Sequence, residues 1–317
     1  INRIESGNAE NSRAAKKTQF VLKAAEIAVA VLLYQNAGIS GFEVETKSDP
    51  EFGFGQGKAG LGSSAAVTVA TVGAIFEEFG KPVRQNLGLV HKTAQMAHSL
   101  AQGKVGSGFD VAASCFGSCR YVRYSPEIVR KVSEGPMDEI VVAINSKWDC
   151  IVESVVLPAS LHVAIASFAG QSTNTSEMVK KAIEWKSSRP KEYAELIGKL
   201  DGENGKAINA LQKRRLEDFK RHFVQGRKLT KALGEKSGAP IEPDDFSDLI
   251  AQSEGNGAFV AKLPGAGGGD AIAALCLTAN DKKKLEGFWR GYAKKKLKVL
   301  DLGVSNEGVR KEERGIP

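Results

Sequence analysis

A glycine loop and two hydroxyls precede an alanine-rich helical pattern, and together they predict a phosphate site. The pattern continues from Ala65 to Phe79. The loop reads Lys58-Ala59-Gly60-Leu61-Gly62-Ser63-Ser64. Because glycine has no Cβ, the backbone of such a loop can approach a ligand closely. Ser63 or Ser64 suits the N-cap of the helix, whose free N–H groups and positive dipole end attract an anion. An ordinary strand-to-helix turn is the alternative, and the glycine pair alone leaves both interpretations open.

Two more glycine-rich elements lie far from this loop in the sequence. One is the segment Ala101-Gln-Gly-Lys-Val-Gly-Ser-Gly-Phe-Asp110, and the other is Pro264-Gly-Ala-Gly-Gly-Gly-Asp270. Either alone would be weak support for a ligand site. Together with the first loop they predict a cleft lined by backbone amides, which suits a ligand with several phosphates.

Two common nucleotide motifs do not account for the first loop. A P-loop requires Ser or Thr after Gly-Lys, but Ala59 follows Lys58. The dinucleotide pattern Gly-x-Gly-x-x-Gly does match from Gly55 to Gly60. However, the acid expected about 20 residues later falls at Glu77 or Glu78, inside the helical pattern rather than after a second strand.

Composition and charge are those of an ordinary globular protein. The chain has 317 residues, of which 42% are hydrophobic and 26% charged, with a net charge of +7. No apolar run approaches the roughly 18 residues of a membrane-spanning helix, and the four cysteines form no CxxC pair. We therefore expect reduced thiols, no zinc site, no membrane partner and a cytoplasmic location. The lysine runs predict a solvated helix face rather than a nucleic-acid site, and the four histidines are expected to be structural or exposed.

Apolar periodicity predicts alternating helices and strands, with a domain boundary near residue 157. Helices are predicted at 19–36, 65–79, 82–100, 175–186, 191–200, from a turn at 201–205 to about 233, at 244–254 and at 281–296. Strands are predicted at 42–46, 119–124, 139–144, 151–157, 162–168, 258–263, 271–277 and 297–302. The expected domains are therefore 1–157 and 158–317.

The glycine-rich motifs resemble those of a known kinase family. Gly60–Ala66 resembles the second motif of the GHMP kinases, and Gly265–Asp270 resembles their third. Within that superfamily, Ala101–Ala112 and the pattern Gly170-x-Ser172-x-x-Thr175 are similar to the phosphomevalonate kinases. The resemblance implies an α+β protein with the two-domain GHMP kinase fold. Residues 1–157 would form a ribosomal-S5-domain-2-like ATP-binding domain, and 158–317 a ferredoxin-like domain with extra helices.

The resemblance also implies an activity, with a role for each matching residue. It is the ATP-dependent phosphorylation of (R)-5-phosphomevalonate to 5-diphosphomevalonate, in the mevalonate pathway of isoprenoid biosynthesis. The catalytic residues would be Asp110, Lys58 and Lys104. The ATP phosphates would be bound by Gly60, Leu61, Gly62, Ser63, Ser64 and Ala65, with Ser64 as a Mg²⁺ ligand. Phosphomevalonate would be bound by Lys104, Ser107, Gly108, Ser172, Thr175, Ala266, Gly267 and Gly268.

Two departures from the family pattern keep alternatives open. The first GHMP motif, an N-terminal Pro-Gly-Lys segment, is absent from the sequence, which begins at Ile1. Ser99 stands where mevalonate kinases carry a glutamate metal ligand, so the sequence does not assign the full Mg²⁺ ligand set. The missing first motif leaves a non-catalytic nucleotide-binding relative as an alternative, and within the superfamily a mevalonate kinase or another GHMP small-molecule kinase is the other alternative. The expected partners are ATP and phosphomevalonate but no nucleic acid, with the protein a monomer or a homodimer.

Locally, several candidate residues have simpler interpretations. Asp110 suits a helix cap as well as a catalytic position, and Ser172 and Thr175 suit the start of the helix that follows them. Lys58 and Lys104 could equally be ordinary exposed lysines, which are common on protein surfaces. The family resemblance favours the functional role for Asp110.

Overall fold

The computed structural model describes residues 11–47, 62–168 and 175–312, which divide into two compact units. The first unit contains described residues 11–47, 62–156 and 305–312, and the second contains 157–168 and 175–304. The C-terminal segment 305–312 thus returns to the first unit, which the predicted division into 1–157 and 158–317 did not anticipate.

The first unit is mostly helical. Its helices are α1 (Asn11–Tyr34), α2 (Ser63–Glu78), α3 (Val83–Gln102), α4 (Phe109–Phe116), α5 (Glu127–Arg130) and α6 (Met137–Asn145). Strands β1 (Cys119–Val122) and β2 (Ile151–Ser154) pair antiparallel. Helices α1, α2 and α3 contact one another. The side of α1 that carries Ala24, Ile27, Ala28 and Val31 is fully buried, as the helical spacing of these residues requires.

The second unit contains a four-stranded antiparallel sheet with helices packed against it. Its strands are β3 (His162–Phe168), β4 (Val260–Lys262), β5 (Ala271–Cys276) and β6 (Leu297–Leu300), in the order β4-β5-β3-β6. Its helices are α7 (Thr175–Ser188), α8 (Pro190–Gln212), α9 (Leu216–Ser237), α10 (Asp244–Gly255) and α11 (Ala279–Arg290). Phe246 of α10 and Trp289 of α11 are buried with the sheet residues Ala166 and Ile272 in one core.

Two predicted strands are wrong. Residues 42–46 form no regular element, and 139–144 belong to helix α6. The β-branched run in the second segment favours a strand, but Asp138 and Glu139 lie in the first turn of α6, where acidic groups stabilise the helix dipole. The buried residues Ile140, Val141 and Ile144 share one helix face, so packing decides for helix.

The turn predicted at 201–205 is also wrong, because these residues lie inside helix α8. Glycine costs about 1 kcal/mol in a helix interior, and packing against α9 offsets that cost. A Cβ placed on Gly226 of α9 would lie 3.2 Å from Oδ1 of Asn204, so the two helices approach closely here. The basic helix predicted to reach Lys296 ends earlier, at Arg290.

None of the described helices combines the length and the apolar character that a membrane span requires.

Candidate active site in the first unit

Helix α2 begins at Gly62, which has no side chain with which to cap the helix. Gly62 is the N-cap, with φ +72° in the left-handed region that favours glycine, and among the described residues this position has no side-chain capping hydrogen bond. The prediction that Ser63 or Ser64 caps the helix is therefore wrong, since both lie in the first turn. Ser63 is exposed, Ser64 half-buried and Ala65 buried. Uncapped N–H groups at a helix start are suited to binding an anion.

The structure places Asp110 beside this helix start. A Cβ on Gly62 would lie 3.3 Å from the Cβ of Asp110, so the two glycine-rich segments meet within the first unit. Asp110 lies in the first turn of α4 and is half-buried. Its Oδ1 accepts a hydrogen bond from the backbone N–H of Val111 at 2.9 Å. The predicted phosphate loop and the predicted catalytic carboxylate are thus neighbours.

A buried amide holds the turn that carries Asp110. Gln95 of α3 is buried, and its amide nitrogen donates to the carbonyl oxygen of Gly108 at 2.7 Å and to Nε2 of His91 at 3.0 Å. Gly108 is the N-cap of α4, with φ +75°. Because the Gln95 nitrogen can only donate, Nε2 of His91 is an acceptor and the imidazole is neutral. The position of Asp110 therefore depends on a buried, uncharged hydrogen-bond network formed by Gln95 and His91.

The free energy of unfolding should depend on pH because of His91 in this hydrogen-bond network. Burial lowers the pKa of His91 to about 4, and the positive charge of Lys92 acts in the same direction. In the unfolded chain the imidazole titrates near its ordinary value of 6.5. Between these two values the unfolded state binds a proton that the folded state does not, so stability falls as the pH decreases through this window. We expect His91 to contribute a loss of up to about 3 kcal/mol.

Urea unfolding at pH 7 and near pH 4.5 would measure this loss. The His91→Asn variant should lose part of the pH dependence, whereas His162→Gln, a control in the second unit, should keep it. An unchanged pH dependence in His91→Asn would contradict the assignment.

Sequence reasoning missed His98, which contacts the candidate ligand Ser64. Its Nε2 is 3.1 Å from Oγ of Ser64, and its ring packs against Phe20 with centroids 5.2 Å apart. His98 is only 5% exposed. Burial lowers its pKa, and the negative charge of Asp110 opposes that effect. One feature of the sequence could have indicated His98. His91, Gln95 and His98 follow helical spacing and form a polar stripe along an otherwise apolar face of α3.

The remaining candidates of the first unit lie in the turn between α3 and α4. Gly103 ends α3 with φ +68°. Lys104 and Ser107 follow and are exposed, whereas Gly108 is buried. Ser99, at the position where mevalonate kinases carry a glutamate, is buried on α3. Its carbonyl oxygen accepts from the backbone N–H of Lys104 at 3.2 Å. Lys104 and Ser107 thus lie within a few residues of Asp110.

The third glycine motif lies in the second unit and is held by the segment before α10. The N–H of Gly268 donates to the carbonyl oxygen of Ile241 at 2.9 Å, and that of Gly267 donates to Pro264 at 3.2 Å. A Cβ on Gly267, whose φ is +80°, would lie 2.2 Å from the Ile241 oxygen. Ala266 is exposed, as is Thr175 at the start of α7. Four predicted site residues, Lys58, Gly60, Leu61 and Ser172, fall outside the described ranges.

A buried ion pair fixes the segment that supports this motif. Glu242 follows Ile241, and its side chain is 6% exposed. Arg227 of α9 binds it in a bidentate manner, with Nε donating to Oε2 at 3.0 Å and Nη2 to Oε1 at 2.8 Å. Ser247 also donates to Oε1 at 2.8 Å. Since buried carboxylates require such partners, the Ile241 carbonyl has a fixed position under the glycine motif.

The oxygen donors of the first unit fit a hard cation bound together with phosphates. Mg²⁺ prefers oxygen ligands and binds through one or two protein groups plus substrate phosphates and water. The Ser64 hydroxyl and the Asp110 carboxylate are of this kind. In the part of the chain that the structure describes, no cluster of three or more His, Cys, Asp or Glu side chains could hold a metal ion by itself.

Comparison with known proteins shows which family the chain resembles. The family model of the GHMP kinase N-terminal domain matches residues 19–118, and that of the GHMP kinase C-terminal domain matches 207–295. The chain is 34% identical over 278 residues to the phosphomevalonate kinase of Gibberella zeae, covering 82% of this chain and 62% of that protein. It is 31% identical over 273 residues to the phosphomevalonate kinase of Saccharolobus solfataricus, covering 86% and 75%. The chain therefore spans about three-fifths of the length of the fungal relative.

Comparison with solved structures shows a shared fold. The structure of the Streptococcus pneumoniae phosphomevalonate kinase in complex with phosphomevalonate and AMPPNP matches with a TM-score of 0.66 at 20% identity, covering 90% of this chain and 79% of that chain. The α+β fold class and the GHMP kinase fold expected from the motifs are confirmed. From its two family-model matches and its relatives, this chain belongs to the GHMP kinases.

Proposed function

We propose that the chain is an ATP-dependent phosphomevalonate kinase that converts (R)-5-phosphomevalonate to 5-diphosphomevalonate. The observation that carries the proposal is the meeting of Gly62, the N-cap of α2, with Asp110, at the start of α4. Relatives named phosphomevalonate kinase at 31–34% identity support the choice of substrate.

In the proposed reaction, an oxygen of the acceptor phosphate forms a bond to the γ-phosphorus of ATP while the β,γ-bridging bond breaks. Such a transfer depends on positioning and on stabilising charge. The start of α2, with Gly60 to Ala65, would bind the nucleotide phosphates. The Ser64 hydroxyl and the Asp110 carboxylate would face the Mg²⁺ ion, which neutralises phosphate charge when bound.

Asp110 has an unusual task if the acceptor is a phosphate. A phosphate monoester is already mostly ionised near neutral pH, so no base is needed to remove its proton. Because two anions repel each other, Asp110 would act by holding a cationic group in place, either Mg²⁺ or the ammonium of Lys58 or Lys104. Ser107, Gly108, Ser172, Thr175, Ala266, Gly267 and Gly268 would contribute to acceptor binding.

Two alternatives predict different outcomes of one assay. ADP release by the intact gene product would be measured with Mg²⁺ and with phosphomevalonate or mevalonate as acceptor. The proposal expects turnover with phosphomevalonate only. Turnover with mevalonate only would identify a mevalonate kinase, for which Asp110 would act as a base on an alcohol. ATP binding without turnover on either acceptor would identify a non-catalytic relative. The cytoplasmic location and the oligomeric state stay predictions.

A further inference from the structure

The Ser64 hydroxyl differs in its partner from the two threonine hydroxyls of α2. Thr68 donates to the carbonyl oxygen of Ser64 and Thr71 donates to that of Val67, each at 2.8 Å and each one helical turn back. Such back-bonding is the ordinary behaviour of hydroxyls within a helix. Ser64 instead lies with its Oγ 3.1 Å from Nε2 of His98, on a different helix. The orientation of this hydroxyl is thus determined by a tertiary contact.

The imidazole that makes this contact is itself held in place. His98 is 5% exposed, and Phe20 of α1 packs on its ring at a centroid distance of 5.2 Å and an interplanar angle of 31°. A buried ring packed against an aromatic neighbour has little rotational freedom. The negative charge of Asp110 also acts on this ring. His98 therefore contacts Ser64 and lies within the electrostatic reach of Asp110.

The direction of the hydrogen bond decides what the Ser64 oxygen can do. A hydroxyl has one hydrogen to donate and two lone pairs to accept or to bind a cation. If Ser64 donates to Nε2, both lone pairs remain for the space at the start of α2. If Nε2 carries the hydrogen, one lone pair is occupied by His98. A neutral ring protonated at Nδ1 produces the first arrangement.

We propose that His98 is a positioning residue that accepts the Ser64 hydroxyl hydrogen at Nε2 and so directs the Ser64 lone pairs toward the cation that accompanies ATP. The proposal rests on the proposed function for the identity of that cation. It adds a residue whose only role is to set the orientation of Ser64.

Nitrogen NMR of the nucleotide-free protein tests the contact without any assay of activity. With ¹⁵N-labelled histidine near neutral pH, His98 should be neutral, with its hydrogen on Nδ1 and an unprotonated Nε2. The Nε2 resonance should shift in Ser64→Ala. His222 is an internal reference, because its Nδ1 contacts Oε2 of Glu203 at 2.7 Å in the second unit and should not respond. A hydrogen on Nε2 of His98 would overturn the proposal whatever the enzyme's substrate proves to be.

Calorimetry with a non-hydrolysable ATP analogue tests the consequence. His98→Phe keeps an aromatic ring beside Phe20 but removes the acceptor. We expect it to weaken binding of the analogue by about five- to tenfold in the presence of Mg²⁺, and to leave Mg²⁺-free binding unchanged. His98→Gln, which can still accept, should recover part of the loss, and His222→Phe should behave as the unmodified protein. Equal losses with and without Mg²⁺ would indicate a structural role and overturn the proposal.

A double-mutant cycle tests whether His98 acts through Ser64. The affinity for the Mg²⁺-bound analogue would be compared in Ser64→Ala, His98→Phe and the double variant. The double variant should bind no more weakly than Ser64→Ala. Independent losses that multiply in the double variant would overturn the proposal. Because binding is measured rather than turnover, a failure of the assigned substrate would leave this test intact.

Discussion

Replacement of Asp110 by asparagine is expected to lower kcat for phosphomevalonate by about 10²–10⁴-fold, with little change in folding. Asparagine retains a side-chain oxygen that can accept from the N–H of Val111, so the local contact at 2.9 Å persists. What is lost is the negative charge beside the start of α2. Since this charge is proposed to hold a cationic group against the transferred phosphoryl, its removal acts on the transition state more than on substrate binding.

Asp138→Asn is the matched control for this variant. Asp138 also lies in the first turn of a helix of the first unit, but it is exposed on α6. Steady-state kinetics with phosphomevalonate would be measured for both variants, together with circular dichroism. The control should retain full turnover. If Asp110→Asn also turned over normally, Asp110 would be a helix-terminal residue, as its sequence position alone allows, and the proposed mechanism would be wrong.

Gly267→Ala is expected to destabilise the second unit by roughly 3 kcal/mol. An alanine at φ +80° is strained by about 1–2 kcal/mol, and its Cβ would lie 2.2 Å from the carbonyl oxygen of Ile241. That oxygen is backbone, next to the buried Glu242, so it cannot move aside as the end of a flexible side chain could. The adjacent hydrogen bond from Gly268 to Ile241 should also break. The motif proposed to bind phosphomevalonate would therefore change shape.

Gly238→Ala separates backbone strain from this steric conflict. Gly238 ends α9 with φ +70°, and a Cβ there would meet nothing within 4 Å. Gly238→Ala should therefore lower the free energy of unfolding only by the backbone strain. Urea unfolding followed by hydrogen exchange of peptides from β3 and β5 would give the stability of the second unit for both variants. The KM for phosphomevalonate should rise by about tenfold or more in Gly267→Ala only. Equal costs for the two variants would show that the loop adapts to the added methyl group.

The positions that bring the first site together were accessible from sequence because glycine and helix-start chemistry are local. Gly62, Ser64 and Asp110 stand at the beginnings of two helices, and backbone rules alone make such positions candidates for binding anions or for catalysis. Their proximity in space, in contrast, depends on how α2, α3 and α4 pack. The glycine-rich elements taken together predicted a shared cleft, and the motif resemblance implied the role of each residue in it.

The features that were predicted wrongly or not at all, in contrast, each depend on a tertiary contact. Helix α6 was predicted as a strand since its β-branched residues favour that state locally, whereas burial of Ile140 and Ile144 on one face decides for helix. His98 was set aside because it has no recognised metal spacing with another histidine. Its importance comes from Ser64, 34 residues away in sequence. A single sequence does not specify such pairs.

The return of residues 305–312 to the first unit has a consequence for how the chain folds during synthesis. The carbonyl oxygen of Asn306 would lie 2.3 Å from a Cβ on Gly117, and Val309 packs against Gly73 of α2. These contacts join the polypeptide that follows the second unit to the helices that carry Ser64 and Asp110. On the ribosome, domains generally fold in the order in which they emerge. Here the first unit cannot complete its core when it emerges, because the segment 305–312 that packs against it is synthesised only after the second unit.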